Sequence, residues 1–195
     1  MPLIHPVALP VPLNERHLTG REKVRTLSQL ARRALHHSAD FGGLPIDVLE
    51  KDESGAPLPS RGVHWSLTHK STWVAAVAAP FTVGIDLETI RDVDIRLFQR
   101  VADEMEWAAY GEPSRKRFFY LWTAKEAVLK AVGRGIAGLE QCKFDTVVNH
   151  DTLRMLYEGA AWTVTHYWIG RDHLLAVTGK PETIEWHILP EERQL

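Results

Sequence analysis

The chain contains only one cysteine, Cys142, among its 195 residues. A single thiol excludes an intramolecular disulfide bond and any metal cluster built from several cysteines. The sequence also lacks an apolar run long enough to span a bilayer. The apolar stretch Met1–Pro12 is interrupted by four prolines and lacks a basic start, which is atypical of a signal peptide. We therefore expect a cytoplasmic protein with no membrane partner.

A strong charge of either sign is missing as well, because 23 basic and 25 acidic side chains leave a formal net charge of −2. General nucleic-acid binders normally carry a basic excess, so we expect no nucleic-acid partner. Hydrophobic residues make up 45% of the chain and charged residues 25%, as in ordinary globular proteins. A chain of this length buries a full core and can form one or two small domains.

The segment from Ser114 to Ala131 carries apolar residues at near-helical spacing, which predicts one helix. Gly133 and Gly135 follow it, as glycines commonly follow a helix C-terminus. Glu126 and Lys130 are one turn apart on this helix. A surface ion pair, worth about 0.2–0.5 kcal/mol, would explain these two residues without any function.

The segment 82–88, TVGIDLE, alternates apolar with polar residues and predicts a strand. Side chains at i and i+2 share a face, so Asp86 and Glu88 point the same way. An exposed acidic turn is the alternative interpretation. If the helix packs across the strand, Glu126 adds a third carboxylate. Ligand sets made only of oxygen favour Mg²⁺, which usually binds substrate phosphates as well.

The two segments together resemble the paired signature of 4′-phosphopantetheinyl transferases of the monomeric, surfactin-synthetase-activating type. That signature is Gly-Ile/Val-Asp at a strand end, followed by Trp/Phe-Ser/Thr-x-Lys-Glu-Ala/Ser-x-x-Lys. Its fixed positions are filled here by Gly84, Asp86, Trp122, Thr123, Lys125, Glu126, Ala127 and Lys130. The resemblance extends from about Arg21 to Asp145.

This resemblance implies an α/β (α+β) fold of two similar halves related by a pseudo-twofold axis, with the active site in the cleft between them. We place the halves at residues 1–80, which would contact the nucleotide of coenzyme A, and 81–195, which would carry the metal site and the signature helix. One chain then contains both halves, so we expect a monomer.

The implied activity is Mg²⁺-dependent transfer of 4′-phosphopantetheine from coenzyme A to a serine of an acyl or peptidyl carrier protein, which releases 3′,5′-ADP. This is the reaction of a holo-[acyl-carrier-protein] synthase. The resemblance assigns Mg²⁺ to Asp86, Glu88 and Glu126. Glu126, or a water that it orients, is the expected base. Lys130 would stabilise or protonate the leaving oxygen, and Lys125 would bind phosphate.

The same resemblance assigns the nucleotide to the first half. Arg25 lies near the start of a helix predicted over 21–37 and matches an arginine that contacts coenzyme A. Thr68 and His69 follow a strand predicted over 63–67 and would bind the 3′-phosphate. Ala56 stands where the family often has a lysine, which removes one expected phosphate contact.

The region between the two signature segments is expected to dock the carrier protein. One helix, or two short ones, is predicted over 93–110. The expected docking surface combines basic with apolar side chains: Arg91, Arg96, Arg100, Leu97, Phe98 and Val101. Residues 115–117, Arg-Lys-Arg, are the second candidate.

Two other functions remain open at this stage. The chain could be a catalytically silent module that binds coenzyme A or a nucleotide, or a Mg²⁺-dependent phosphohydrolase that uses the same carboxylates. The intact set of three carboxylates disfavours the silent module. The sequence does not identify the carrier as one of fatty-acid, polyketide or peptide synthesis.

The remaining patterns predict further strands. An edge strand is expected over 7–13, a short strand over 46–50 and a buried central strand over 73–79. Later strands are expected over 143–148, 161–168 and 174–178, with another edge strand over 184–189.

Overall fold

The computed structural model describes residues 2–190 of the chain. These residues form two compact units. The first contains the residues up to Thr82 together with those from Thr183 onward, and the second runs from Val83 to Glu182. The boundary between the first and the second unit follows Thr82, two residues after the boundary predicted at residue 80. Residues 183–190 belong to the first unit, whereas the predicted boundary puts them in the second half.

The first unit is a four-stranded sheet covered by one helix. Its elements are β1 (Val7–Pro10), α1 (Gly20–Gly42), β2 (His64–His69), β3 (Trp73–Ala79) and β9 (His187–Ile188). The strand order is β2-β3-β1-β9, and only the short β1–β9 pair is parallel. The apolar face of α1 buries Leu27, Leu30 and Leu35 in the core with Trp65 and Val74.

The second unit is a five-stranded antiparallel sheet with three helices. Its elements are β4 (Ile85–Thr89), α2 (Ile95–Val101), α3 (Glu104–Tyr110), α4 (Arg115–Val132), β5 (Cys142–Asn149), β6 (Thr152–Tyr157), β7 (Ala160–Ile169) and β8 (His173–Thr178). The strand order is β4-β8-β7-β6-β5. Helix α4 packs on this sheet and buries Leu121, Val128 and Leu129 completely. This packing fixes the helix against β4.

The two units share part of their connectivity. In each unit the first strand precedes the longest helix (α1 or α4), and one of the antiparallel strands after that helix pairs with the first strand. That pair is β3 with β1 in the first unit and β8 with β4 in the second. The first unit adds β9 beside β1, and the second adds α2 and α3 before α4. The predicted α/β architecture is confirmed, whereas the pseudo-twofold axis and the cleft stay predictions.

Two sequence-based expectations about strands were wrong, and one strand was missed. Residues 46–50 form no regular strand, and the loop there contains only an isolated bridge between Lys51 and Pro57. Strand β1 is not at the edge, because β9 pairs with its other side. The strand β6 was not expected, although its residues alternate Leu153, Met155 and Tyr157 towards the core.

None of the helices in the part of the chain that the structure describes combines the length and hydropathy that a bilayer span requires.

Candidate active site

The two carboxylates of β4 are buried. Asp86 is 4% exposed and Glu88 is 9% exposed, and they lie opposite Ala176 and Leu174 of the neighbouring strand β8. Because alternate residues of a strand share a face, both carboxylates point the same way. Burying ionised carboxylates is unfavourable unless cations or hydrogen-bond donors compensate for the lost water. The interpretation of this segment as an exposed acidic turn is therefore excluded.

Helix α4 begins and ends with standard capping residues. The Ser114 side chain accepts a hydrogen bond from the Arg117 backbone N–H at 3.3 Å, which satisfies one of the free donors of the first turn. Gly133 ends the helix in the left-handed conformation, with φ of 70°. The signature residues from Trp122 to Lys130 therefore lie on one regular helix, as the spacing predicted.

Gly84 allows this helix to approach the strand very closely. A Cβ atom at position 84 would lie 2.0 Å from the backbone oxygen of Ala127 and 2.6 Å from the backbone nitrogen of Ala131. Both distances are too short for non-bonded atoms, and backbone atoms cannot rotate away. The glycine of the first signature segment is therefore required by packing, because it lets the backbone of α4 lie directly on the start of β4.

The close approach brings polar side chains of α4 onto the carboxylates of β4. The ammonium nitrogen Nζ of Lys130 lies 2.6 Å from the Oδ1 atom of Asp86. The indole N–H of Trp122 donates a hydrogen bond of 2.9 Å to the Oε1 atom of Glu88. Glu126 precedes Lys130 by one turn and therefore lies on the same helix face. The two signature segments are thus joined by direct side-chain contacts.

Lys125 lies in a different environment from Lys130. Its side chain is 1% exposed, and its Nζ atom lies 2.7 Å from the Oε1 atom of Glu106, a residue of α3 that is itself 6% exposed. Burial lowers the pKa of Lys125, and the hydrogen bond to Glu106 raises it in part. Phosphate binding by Lys125 stays a prediction, and its ammonium is engaged in a buried ion pair.

Glu106 is the centre of this buried network. Its Oε1 atom also accepts the Phe144 backbone N–H at 2.7 Å, and its Oε2 atom accepts the Asp103 backbone N–H at 3.2 Å. The second contact belongs to a capping box at the start of α3, in which the Asp103 side chain accepts the Glu106 N–H. Glu106 was not expected as a site residue from the sequence. The Asp-x-x-Glu spacing marks the capping box, but it does not reveal the pairing with Lys125.

The donor set on β4 and α4 suits a hard cation. Asp86, Glu88 and Glu126 offer only carboxylate oxygens, which are the ligands that Mg²⁺ prefers. Asp86 and Glu88 are nearly inaccessible, and Lys130 supplies one positive charge to Asp86. A divalent cation would therefore fit these residues by ligand chemistry.

The residues predicted to contact the nucleotide lie in the first unit. Arg25 is exposed on α1. Thr68 and His69 are the last residues of β2 and lie opposite Ala75 and Val74 of β3, with Thr68 buried and His69 half-buried. Their roles in nucleotide binding stay predictions. The loop with Ala56 is closed by Asp52, whose Oδ1 atom accepts the Ala56 backbone N–H at 2.9 Å.

An apolar groove of about 220 Å³ lies beside the β4 carboxylates in the second unit. Its lining includes Glu88, Arg91, Leu97, Arg100, Trp122 and Ile136. Two residues expected on a docking surface are mainly buried, because Phe98 packs against Trp107 and Phe118 and Val101 is 2% exposed. Leu97 is exposed and lines the groove. Ile136, which also lines the groove, and Ile95, which is near Leu97 in sequence, are exposed as well.

Comparisons with known proteins identify the same region. Residues 82–178 match the model of the 4′-phosphopantetheinyl transferase superfamily. The chain is 31% identical over 170 residues to the 4′-phosphopantetheinyl transferase psf-1 of Bacillus pumilus, a match that covers 80% of this chain and 70% of that protein.

Two further relatives match over shorter regions. The 4′-phosphopantetheinyl transferase gsp of Aneurinibacillus migulanus is 31% identical over 93 residues, which are 46% of this chain and 39% of that protein. The 4′-phosphopantetheinyl transferase HetI of a Nostoc species is 39% identical over 88 residues, which are 41% of this chain and 37% of that protein. The matched regions thus span well under half of these two relatives.

Proposed function

The chain belongs to the 4′-phosphopantetheinyl transferase superfamily, and we propose that it transfers 4′-phosphopantetheine from coenzyme A to a serine of a carrier protein. The relatives that match are named for this activity. The observation that carries the proposal is the contact between the two signature segments, in which Lys130 lies 2.6 Å from Asp86. This contact brings an ammonium onto a buried carboxylate, an arrangement that supports transfer from a pyrophosphate.

The proposed reaction exchanges one P–O bond for another. The serine oxygen attacks the β-phosphorus of coenzyme A, and the bond from that phosphorus to the bridging oxygen breaks. The products are the phosphopantetheinyl serine and 3′,5′-ADP. The serine proton must be removed, and negative charge must be stabilised on the departing oxygen. Groups placed in advance where that charge develops are the main source of catalysis.

We assign the proton transfers to two residues of α4. Glu126, or a water that it orients, accepts the proton of the serine hydroxyl. Lys130 stabilises the leaving oxygen or donates a proton to it. Mg²⁺ held by Asp86, Glu88 and Glu126 would supply further positive charge to the pyrophosphate oxygens. Trp122 orients the Glu88 carboxylate through its 2.9 Å hydrogen bond, so we give it a positioning role.

Lys125 has two proposed roles that exclude one another while its ion pair is intact. The signature suggests a phosphate ligand, whereas the contact with Glu106 suggests that Lys125 fixes α4 to α3. We favour the second role, because phosphate would have to withdraw a buried ammonium from a carboxylate 2.7 Å away. Withdrawing the Lys125 ammonium would remove the nearer cation of the buried Glu106 carboxylate and leave the Lys143 ammonium at 3.5 Å.

The nucleotide end of coenzyme A is assigned to the first unit. We propose that Arg25 and His69 bind the 3′-phosphate and that Thr68 adds a hydrogen bond. Charge-assisted contacts of this kind are the stronger class of hydrogen bond. We also propose that one chain is sufficient for activity and that it works in the cytoplasm, where coenzyme A and carrier proteins are available.

The apolar groove beside Glu88 is our candidate for carrier docking. Arg91 and Arg100 line it together with Leu97 and Ile136, so it combines positive charge with apolar surface. Carrier proteins are typically acidic helical bundles, to which such a surface is complementary. Arg96 is less suited to this contact, because its guanidinium pairs with Asp94.

Intact-mass spectrometry tests the proposed function directly. Several apo-carrier proteins are incubated with the chain, coenzyme A and Mg²⁺, and a carrier whose serine is replaced by alanine serves as the control. We expect one added phosphopantetheine on at least one carrier and none on its control. Hydrolysis of coenzyme A without added mass would identify a phosphohydrolase. Binding of coenzyme A with neither outcome would identify a catalytically silent module.

A further inference from the structure

A group of two histidines and a glutamate lies in the first unit, among residues that the proposed reaction does not use. His5, Glu185 and His187 each offer one ligand atom, and these atoms all lie within 4.8 Å of one another. The Nδ1 atom of His5 is 3.0 Å from the Nε2 atom of His187. The carboxylate oxygens of Glu185 lie 3.7 Å from His5 Nδ1 and 3.9 Å from His187 Nε2.

These distances suit a tetrahedral transition-metal site. Zinc binds imidazole nitrogen at about 2.0–2.1 Å and carboxylate oxygen at similar lengths, so two ligands of a tetrahedral site are separated by about 3.3 Å. The three measured separations lie on either side of that value. Two imidazoles with one carboxylate also form a set that zinc and its chemical relatives prefer over Mg²⁺. We propose that His5, Glu185 and His187 bind a zinc-class divalent ion.

The backbone holds the three ligands in place before any ion arrives. The segments that carry them run side by side: the Glu185 N–H donates to the Ile4 carbonyl at 3.0 Å, and the His187 N–H donates to the Pro6 carbonyl at 2.9 Å. Strand pairing continues this alignment, since Val7 lies opposite His187. Ligands fixed by a ladder lose little conformational entropy when they bind an ion.

An aromatic side chain fixes the orientation of one ligand. The ring of Phe41 stacks on the ring of His187, with centroids 4.0 Å apart and an angle of 9° between the planes. Both imidazoles are half-buried, whereas the Glu185 side chain is 56% exposed. The exposed glutamate leaves the site open to solvent, so an ion can enter.

The site joins two segments that are far apart in sequence, since His5 and His187 are 182 residues apart. Strand β9 contains only two residues and pairs only with β1 within its sheet. His5 precedes β1, Glu185 lies just before β9 and His187 lies in β9. A metal ion bound by these three residues would therefore hold this short strand against the sheet. The site is structural in this respect and is independent of the proposed transferase chemistry.

The competing explanation is a simple hydrogen bond between His5 and His187. Titration of the untagged, chelator-treated full chain with Zn²⁺ distinguishes the two, with excess Mg²⁺ present to fill sites made only of oxygen. We expect one zinc ion per chain. Titration with Co²⁺ should give the intense visible absorption of a tetrahedral complex.

Three variants and one matched control complete the test. His5→Ala and His187→Ala should weaken zinc binding by at least about tenfold, and so should Glu185→Gln, whose exposed side chain can change without disturbing the core. His36→Ala, an exposed histidine on α1, should bind zinc as the wild type does. Zinc should raise the Tm of the wild type and of His36→Ala but not that of His5→Ala. Absence of zinc binding by the wild type, or equal binding by all the variants, would overturn the proposal.

Discussion

The ammonium of Lys130 contacts Asp86 at 2.6 Å and thereby joins the helix α4 to the strand β4. Asp86 is therefore both an ion-pair partner and a proposed metal ligand. The Lys130 side chain is 28% exposed, so its charge can still be hydrated when the partner is changed.

Asp86→Asn should reduce carrier modification by about a hundredfold or more, because it removes charge from the proposed metal site without changing its shape. Glu126→Ala should have a similar effect. Asp92→Asn serves as the control, since its side chain is 96% exposed. Initial rates by intact-mass spectrometry over a range of Mg²⁺ concentrations measure the effect. Wild-type rates for Asp86→Asn and Glu126→Ala at saturating Mg²⁺ would refute the metal assignment.

Lys125→Met should lower the free energy of unfolding by about 3 kcal/mol, because it removes the buried cation of Glu106 and leaves its Oε2 atom with the partly exposed Lys143 ammonium at 3.5 Å. The double variant Lys125→Met with Glu106→Gln should recover part of that loss, since neither side chain is then charged. Urea unfolding monitored by circular dichroism measures both. If Lys125→Met keeps wild-type stability and instead raises the KM for coenzyme A, Lys125 binds phosphate as its signature predicts.

The buried residue His166 should make the protein less stable in acid. Its Nδ1 atom lies 3.1 Å from the carbonyl oxygen of Asp151, and its Nε2 atom lies 3.1 Å from the carbonyl oxygen of Tyr120. Both contacts favour the protonated ring. Burial is the larger influence and lowers the pKa of His166 to about 4. The ring is then neutral in the folded protein at pH 5, whereas it is protonated in the unfolded chain.

The sign of this effect follows from proton binding. Because the folded protein has the lower pKa, its stabilisation is complete above about pH 6.5 and declines as the pH falls towards 4. At pH 5 the loss from this residue is about 2 kcal/mol. Urea unfolding of the wild type and of His166→Gln at pH 7.5 and pH 5 measures it. The change with pH should be smaller in the variant, and an equal change in both proteins would contradict the prediction. His150→Ala, with an exposed ring, is the control.

His69→Ala and Arg25→Ala should raise the KM for coenzyme A about tenfold or more, because a charge-assisted hydrogen bond contributes about 1.5–3 kcal/mol. They should affect dephospho-coenzyme A much less, since that substrate lacks the 3′-phosphate. Steady-state rates with both substrates give the comparison. Equal losses for the two would mean that these residues do not recognise the 3′-phosphate.

Arg91→Glu with Arg100→Glu should raise the KM for an acidic carrier protein, and more at low than at high salt, because charges at a surface act through screened attraction. Binding of coenzyme A should be unchanged. Arg96→Glu is the matched control, since the Arg96 guanidinium already pairs with Asp94. A wild-type rate for the double variant in low salt would move the docking surface elsewhere, and residues 115–117 would be tested next.

The sequence alone determined the elements whose signals are local. Helix α4 was expected over Ser114–Ala131 and runs over Arg115–Val132, because periodic apolar residues lie within it and a capping serine and a terminal glycine flank it. Strand β3 coincides with the apolar run Trp73–Ala79. The signature residues likewise follow from spacing along one strand and one helix.

Tertiary structure decided which of these residues meet and how deeply they are buried. The charges of Asp86 and Lys125 look like ordinary surface charges in sequence, and only packing buries them and gives them the partners Lys130 and Glu106. The role of Gly84 depends on the backbone oxygen of Ala127, which is 43 residues further along the chain. His5 and His187 are brought together by the pairing of β1 with β9. No local pattern encodes contacts between such distant residues, because they exist only once the sheets have formed.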